Sequence, residues 1–214
     1  MYLTELTMRG SDAALLCPGN PYNWHQVVWT FFPGRDDRDF LYRVDIGDYG
    51  IKLLILSKTQ PQPPIDLPQS LFRCREVPPE FLQHSRYRFQ LRANPTKRLT
   101  HDKKTGKPCS MRVPLTSDEE LLHWLERKGQ TGGFCIPHSA AWPNPPCSLL
   151  ITREKRLDFR KKQLRAAHHG SVQFSGVLEV TDLELFQKTF IEGIGSAKSF
   201  GFGLLMLQPI ISTH

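Results

Sequence analysis

The sequence predicts an α+β protein of two tandem ferredoxin-like (RRM-like) domains with antiparallel sheets, the second carrying a long β-hairpin. Short runs of alternating apolar and polar residues are separated by helix signals, in the order β-α-β-β-α-β. The 214 residues are long for one small domain and suit two compact ones. We predict an N-terminal domain over 1–94, a basic connector over 95–110, and a C-terminal domain over 111–214.

The N-terminal half contains six expected elements. Asn20 and Pro21 mark a helix start, because Asn is a good N-cap and Pro suits the first helical position. Gly47 and Gly50 bracket the turn of a hairpin between two apolar strands. The expected elements are a strand over Tyr2–Met8, a helix over 20–32, strands over 40–46 and 51–57, helical turns over 78–84, and a strand over Arg86–Ala93.

The C-terminal half shows the same pattern with a hairpin added. Thr116 and Glu119 form a capping-box signature for a helix that ends near residue 128, before Gly129. Asp182 caps another helix, which reaches about residue 191. The other expected elements are a short strand over 131–137, hairpin arms over 149–161 and 171–180 with a turn at 168–170, and a last strand over 203–211.

Positive charge is concentrated in two segments of the chain. The net charge is +7, while residues 86–112 hold nine basic residues and one acid, and residues 153–165 hold seven basic residues and two acids. The rest of the chain is therefore acidic. Such clustering favours a surface that binds a nucleic acid. The alternative is a pair of solvated basic loops kept for solubility.

The cysteines and histidines show no metal-site spacing. Five cysteines are widely separated, and no C-x-x-C pair exists. We therefore expect neither a metal nor a cofactor. An odd number of cysteines without a recognisable targeting segment suits a cytoplasmic protein with reduced thiols, and no apolar run has membrane-spanning length.

A glycine-rich loop over 193–203 is the main candidate for phosphate binding. Glycines allow a backbone to approach a phosphate closely, and exposed amides beside a lysine form an anion site. A Walker A motif is excluded because Ala precedes the lysine, and a dinucleotide fingerprint because no helix follows. The alternative is a helix cap followed by a glycine-rich bulge. The candidate residues are Gly193, Gly195, Ser196, Lys198, Ser199 and Gly201.

Two segments carry a family resemblance that covers both ends of the chain. Gly-Ile-Gly-Ser-Ala-Lys-Ser-Phe-Gly-Phe-Gly-Leu-Leu over 193–205 is similar to the signature of CRISPR repeat-RNA endoribonucleases. Tyr-Asn-Trp-His-Gln-Val-Val-Trp-Thr-Phe-Phe-Pro over 22–33 resembles the first helix of their CasE group, a subunit of the type I-E Cascade complex. The resemblance implies an endonuclease that binds the hairpin of CRISPR repeat RNA, cuts beside it and stays with the other Cascade subunits.

RNA cleavage without a metal needs a base for the 2′-hydroxyl, cations for the transition state and an acid for the leaving 5′-oxygen. The products are a 2′,3′-cyclic phosphate and a 5′-hydroxyl. His25, early in a helix, is the best candidate for a proton role, and Tyr22 lies three residues earlier on the same face. The resemblance implies that both are catalytic. The alternative for His25 is a structural histidine in a buried helix.

The second basic segment predicts an extended RNA-binding ribbon, and the resemblance implies that it enters a groove of the RNA stem. The alternative is a solvated strand face. Two positions depart from the family pattern, since Gln26 and Ser196 stand where members can carry a basic residue. The predicted RNA contacts outside the glycine-rich loop are Arg98, Arg153, Lys155, Arg156, Arg160 and Lys161.

Two other functions are compatible with these residues. A non-catalytic RNA-binding subunit would use the same basic surface, and would bind RNA without cutting it. A small-molecule enzyme would use the glycine-rich loop for a nucleotide phosphate, and would show no salt-dependent affinity for RNA.

Overall fold

The computed structural model describes residues 1–9, 23–48, 50–101, 108–137, 149–154, 157–159 and 167–211. Within them lie three α-helices: α1 (Asn23–Trp29), α2 (Asp118–Gly132) and α3 (Leu183–Glu192). Short 3-10 turns cover Gln69–Leu71, Pro79–Leu82 and Lys198–Phe200. The strands are β1 (Tyr2–Met8), β2 (Phe40–Gly47), β3 (Gly50–Ser57), β4 (Phe72–Glu76), β5 (Arg86–Ala93), β6 (Thr96–His101), β7 (Pro108–Pro114), β8 (Phe134–Cys135), β9 (Leu150–Arg153), β10 (Leu157–Phe159), β11 (Ala167–His169), β12 (Val172–Val180) and β13 (Leu205–Pro209).

The first sheet is antiparallel, with the strand order β2-β3-β1-β4. Both of its faces are buried. Tyr42 and Leu53 pack with Trp24 and Val28 of α1 on one side. Leu41, Leu54 and Leu56 join the core of the second module on the other side. Burial on both faces explains why β3 has an unbroken apolar run over 53–56 and β2 one over 40–42, without the alternation of a half-exposed strand.

The second sheet has the strand order β13-β5-β12-β8, and β9 also pairs with β12. Helices α2 and α3 cover it, with side chains such as Trp124 and Phe186 in the core. The predicted α+β class with two antiparallel ferredoxin-like modules is therefore confirmed.

One strand lies in a different sheet from the expected one. The order read from sequence made Arg86–Ala93 the last strand of the first module, but β5 pairs with β12 and β13 of the second sheet. The first module is completed by β4, whose Phe-Arg-Cys-Arg-Glu sequence is short and polar and was not predicted as a strand. The domain limits 1–94, 95–110 and 111–214 stay a prediction, and this pairing favours a boundary before Arg86.

Two hairpins differ from the expected loops. The predicted connector contains β6, which pairs with β7. In the long hairpin, the expected turn at 168–170 is wrong, because His168 and His169 lie on β11 and pair with Asp158 and Leu157 of β10. Residues 160–166, between these two strands, lie outside the described residues.

Helix boundaries follow the local capping chemistry. Asp182 accepts a hydrogen bond from the Leu185 amide, as predicted. The cap of α2 is Ser117 rather than Thr116, since the Ser117 hydroxyl accepts from the Glu120 amide. Helix α2 also continues past Gly129 to Gly132. The next residue, Gly133, is its C-cap, and its φ of 76° favours glycine at that position. The predicted start of α1 at 20–21 lies outside the described residues.

Candidate active site

The glycine-rich loop lies against the first module. The Tyr42 hydroxyl donates to the Ser199 carbonyl at 2.7 Å. Gly193 has a φ of 76°, and a Cβ there would lie 2.7 Å from a methyl carbon of Leu41. A larger residue at this position would push the two modules apart. Gly193 thus has a packing role that the phosphate interpretation of the sequence did not include.

His25 faces this junction from α1. It is half-buried among aromatic rings, with its centroid 6.3 Å from that of Tyr42 and 6.2 Å from that of Trp29. The Trp29 indole N–H donates to Nε2 of His25 at 3.2 Å. The other ring nitrogen, Nδ1, is buried and has no hydrogen-bond partner among the described residues. A buried polar atom of this kind is costly unless something satisfies it.

The surroundings of His25 favour its neutral form. Burial lowers the pKa of His25 below its usual 6.5, and the positive charge of Arg38 lowers it further. The Trp29 indole donates to Nε2, so in the neutral ring this nitrogen holds the lone pair and Nδ1 carries the hydrogen.

Two cations lie at the glycine-rich loop. Arg38 donates to the Ser199 hydroxyl at 3.1 Å, and Lys198 donates to the Glu192 carbonyl at 2.5 Å. Burial lowers the pKa of Lys198, and the charge of Arg38 adds to this effect. Lys198 is half-buried and Arg38 is exposed, and their charges repel each other. An anion bound between them would relieve this repulsion.

Sequence reasoning missed two residues of this site. Arg38 lies in the mixed-charge run Arg35–Asp39, which reads as a solvated loop, and Tyr42 reads as an ordinary strand residue. Nothing in their local pattern signals a site. Only the packing of β2 against the glycine-rich loop brings them to His25 and Ser199.

The remaining predicted site residues are divided among several places. Gly201 packs against the Tyr42 ring, where a Cβ would lie 3.2 Å away. Gly195, Ser196 and Arg98 line a neighbouring basic pocket. Arg153 is paired with Asp118 at 2.6 Å. Gln26 is exposed on α1. The residues that lie outside the described part are Tyr22, Lys155, Arg156, Arg160 and Lys161.

Two features are absent from the residues that the structure describes. Among them, no three His, Cys, Asp or Glu side chains come together as a possible metal site. No helix in the same residues is long and apolar enough to cross a membrane.

The fold and the junction define a class of protein before any comparison. Two RRM-like modules bring a half-buried histidine, a half-buried lysine and an exposed arginine to their junction, and such groups can move a proton and bind an anion. The family of proteins described as CRISPR associated protein matches residues 1–209. The chain belongs to this family.

Curated relatives cover nearly the whole chain. The CRISPR-associated endoribonuclease Cse3 of Thermus thermophilus is 30% identical, over 98% of this chain and 100% of the relative. The CRISPR system Cascade subunit CasE of Escherichia coli is 29% identical, over 88% of this chain and 92% of the relative.

Solved structures show the same fold. The Escherichia coli Cas6e crystal structure matches with a TM-score of 0.73 and 25% identity, over 98% of this chain and 100% of that chain. Thermus thermophilus Cse3, bound to an RNA that represents a pre-cleavage complex, matches with a TM-score of 0.66 and 27% identity, over 97% and 98% of the two chains.

Proposed function

We propose that this protein is a metal-independent endoribonuclease that cleaves CRISPR repeat RNA beside its hairpin. The observation that carries the proposal is His25, a half-buried imidazole whose Nδ1 lacks a partner among the described residues. The charge of Arg38 acts on His25 and also on Lys198 of the glycine-rich loop. The endoribonuclease and RNA-bound relatives support this choice of substrate.

The reaction is a transesterification. Nε2 of His25 takes the proton of the 2′-hydroxyl, in place of the hydrogen bond that it accepts from Trp29 in the free protein. The 2′-oxygen bonds to phosphorus, and the bond from phosphorus to the 5′-oxygen breaks. Lys198 and Arg38 stabilise the negative charge of the five-coordinate transition state. The leaving oxygen takes up a proton, so the products are a 2′,3′-cyclic phosphate and a 5′-hydroxyl. Tyr22 is proposed to position the phosphate or donate this proton.

The glycine-rich loop and the long hairpin would hold the RNA. Ser196 and Ser199 offer hydroxyl groups and Gly195 an amide to phosphates, while the hairpin cations Lys155, Arg156, Arg160 and Lys161 would meet the RNA stem. The match to CasE, a Cascade subunit, supports assembly with other Cascade subunits, where the protein would remain after cleavage, and a cytoplasmic location.

The test is cleavage of a hairpin RNA in EDTA by the wild-type protein and the His25→Ala variant. Wild type cuts the RNA, and a single 2′-deoxy nucleotide at the cut site blocks the reaction. His25→Ala lowers the single-turnover rate by about 10²–10⁴-fold with little change in affinity. The matched control is His123→Ala, an exposed histidine of α2, which keeps the wild-type rate. Tight binding without cleavage by wild type would instead identify a non-catalytic RNA-binding subunit.

The pH dependence tests the direction of proton transfer. A base must be unprotonated, so the single-turnover rate should rise with pH and level off above the pKa of His25. The midpoint should lie below 6.5, because burial and Arg38 lower this pKa. A rate that falls as pH rises through this range would make His25 the acid.

A further inference from the structure

A second basic pocket lies beside the glycine-rich loop, between the β6–β7 hairpin and α2. Its volume is about 370 Å³. Gly195 and Ser196 form one wall, so it adjoins the loop that carries Lys198. The cations that line it are Arg98, Arg112, Arg127 and Lys128.

The hairpin places two of these cations directly opposite each other. Arg98 of β6 is the cross-strand partner of Arg112 of β7. Like charges in this position destabilise a strand pair, so the arrangement works against the stability of the hairpin. The neighbouring Lys97 shows the contrast, since it forms an ion pair with Glu120 of α2. Lys97 is thus neutralised by an acidic partner, whereas Arg98 and Arg112 form no ion pair among the described residues.

The pocket holds no balancing carboxylate within the described residues. None of its four cations forms an ion pair with an Asp or Glu there, and the lining itself contains no acid. Lys128 instead lies 6.0 Å from the centroid of the Trp124 ring. Four cations around one cavity repel each other, and a bound anion would relieve that repulsion.

The lining favours a phosphate over a base. Trp124, the aromatic residue of the lining, is only 4% exposed, so it offers almost no ring surface for a base to stack on. Arginine forks and a lysine are the groups that hold phosphate oxygens. The pocket can therefore recognise backbone charge without reading sequence.

The pocket adjoins the glycine-rich loop of the candidate active site at Gly195 and Ser196. The charge of Lys128 contributes to lowering the pKa of Lys198, so these two ammonium groups are close enough to interact. An RNA strand that places its scissile phosphate at Lys198 can continue over Gly195 and Ser196 into the pocket.

We propose that this pocket binds a backbone phosphate of the RNA strand that flanks the cut, within a few nucleotides of the scissile phosphate. The inference rests on the proposed function, because it takes RNA as the substrate. It assigns Arg112, Arg127 and Lys128 to substrate binding, in addition to Arg98.

The first test is the salt dependence of RNA binding by the double variant Arg112→Ala/Arg127→Ala. Its affinity at low salt should fall about tenfold, and the slope of log K against log[salt] should decrease by about 1. The matched control is Arg75→Ala, an exposed arginine of β4 outside the pocket, which should keep the wild-type slope.

The second test replaces single phosphates near the cut with neutral methylphosphonates. Wild type should lose affinity at one or two flanking positions, and the double variant should show no further loss at those positions, because the two changes remove the same contact. Losses that simply add at every position, or an unchanged salt slope, would overturn the pocket assignment. Failure of wild type to cut any hairpin RNA would overturn the proposed function instead, while leaving these binding measurements valid.

Discussion

Two groups of basic side chains in this protein differ in what they contact. At the junction of the modules, Arg38 and Lys198 donate to a serine hydroxyl and a backbone carbonyl. At the base of the long hairpin, Arg92 bridges Asp45 and Glu154, and Arg153 is paired with Asp118. Among the described residues, the first group forms no ion pair with a carboxylate, whereas the second group is neutralised within the fold. A count of basic residues along the chain does not separate these two groups.

The largest effect is expected on the cleavage rate, for a variant at the junction of the two modules. Lys198→Met removes a cation placed where the transition state gains negative charge, so the single-turnover rate should fall about 10²–10³-fold. The control is Lys188→Met, which removes an exposed lysine of α3 and should leave the rate unchanged. Equal rates for both variants would show that Lys198 only supports the helix end through the Glu192 carbonyl.

The next largest effect is expected on the free energy of unfolding, for a variant of Arg92. Arg92 is 16% exposed, ion-pairs with Asp45 and Glu154, and donates to the Val44 carbonyl at 2.6 Å. Arg92→Met leaves both carboxylates without this partner, so the free energy of unfolding should fall by about 2–3 kcal/mol.

Denaturant titration measures this loss, and the same strand offers a control. Arg86 pairs with Glu179 but is 42% exposed, so Arg86→Met should cost less than about 1 kcal/mol. If the two variants lost equal stability, the junction between the modules would not depend on Arg92.

The smallest effect is expected on RNA affinity, for a variant of Arg153. It is 47% exposed and tied to Asp118 and to the Thr116 carbonyl. Arg153→Ala should therefore weaken RNA binding by no more than about threefold, in keeping with the small energies of exposed pairs. If this variant lost as much RNA affinity as Arg112→Ala/Arg127→Ala, the distinction between the two groups of basic side chains would be wrong. Such a loss would show that RNA displaces Asp118 from Arg153.

Local features of the fold were predictable because they depend on neighbouring residues. The hairpin of β2 and β3 follows from apolar runs around Gly47 and Gly50. The cap at Asp182 needs only an amide three residues away. Even the error at Ser117 is a shift of one position, since two hydroxyl residues stand side by side and geometry selects one.

Sheet membership was not predictable by the same reasoning. Alternation in Arg86–Ala93 shows that a strand has two faces, but not which strands lie beside it. Hydrogen bonding to β12 and β13 places it in the second module. The short polar strand β4 takes its place at the edge of the first sheet, where burial is low and an apolar pattern is not needed.

The sequence by itself determined three features: the fold class, the position of His25 early in a helix, and a glycine-rich loop with one lysine. Each of them depends on patterns among residues that are close along the chain. Tertiary structure alone decided that Arg38 and Tyr42 meet this loop, that Gly193 is packed against Leu41, and that Arg98 faces Arg112. The physical reason is that desolvation, charge pairing and close packing depend on distance in space, and the chain brings those residues together only when both modules fold.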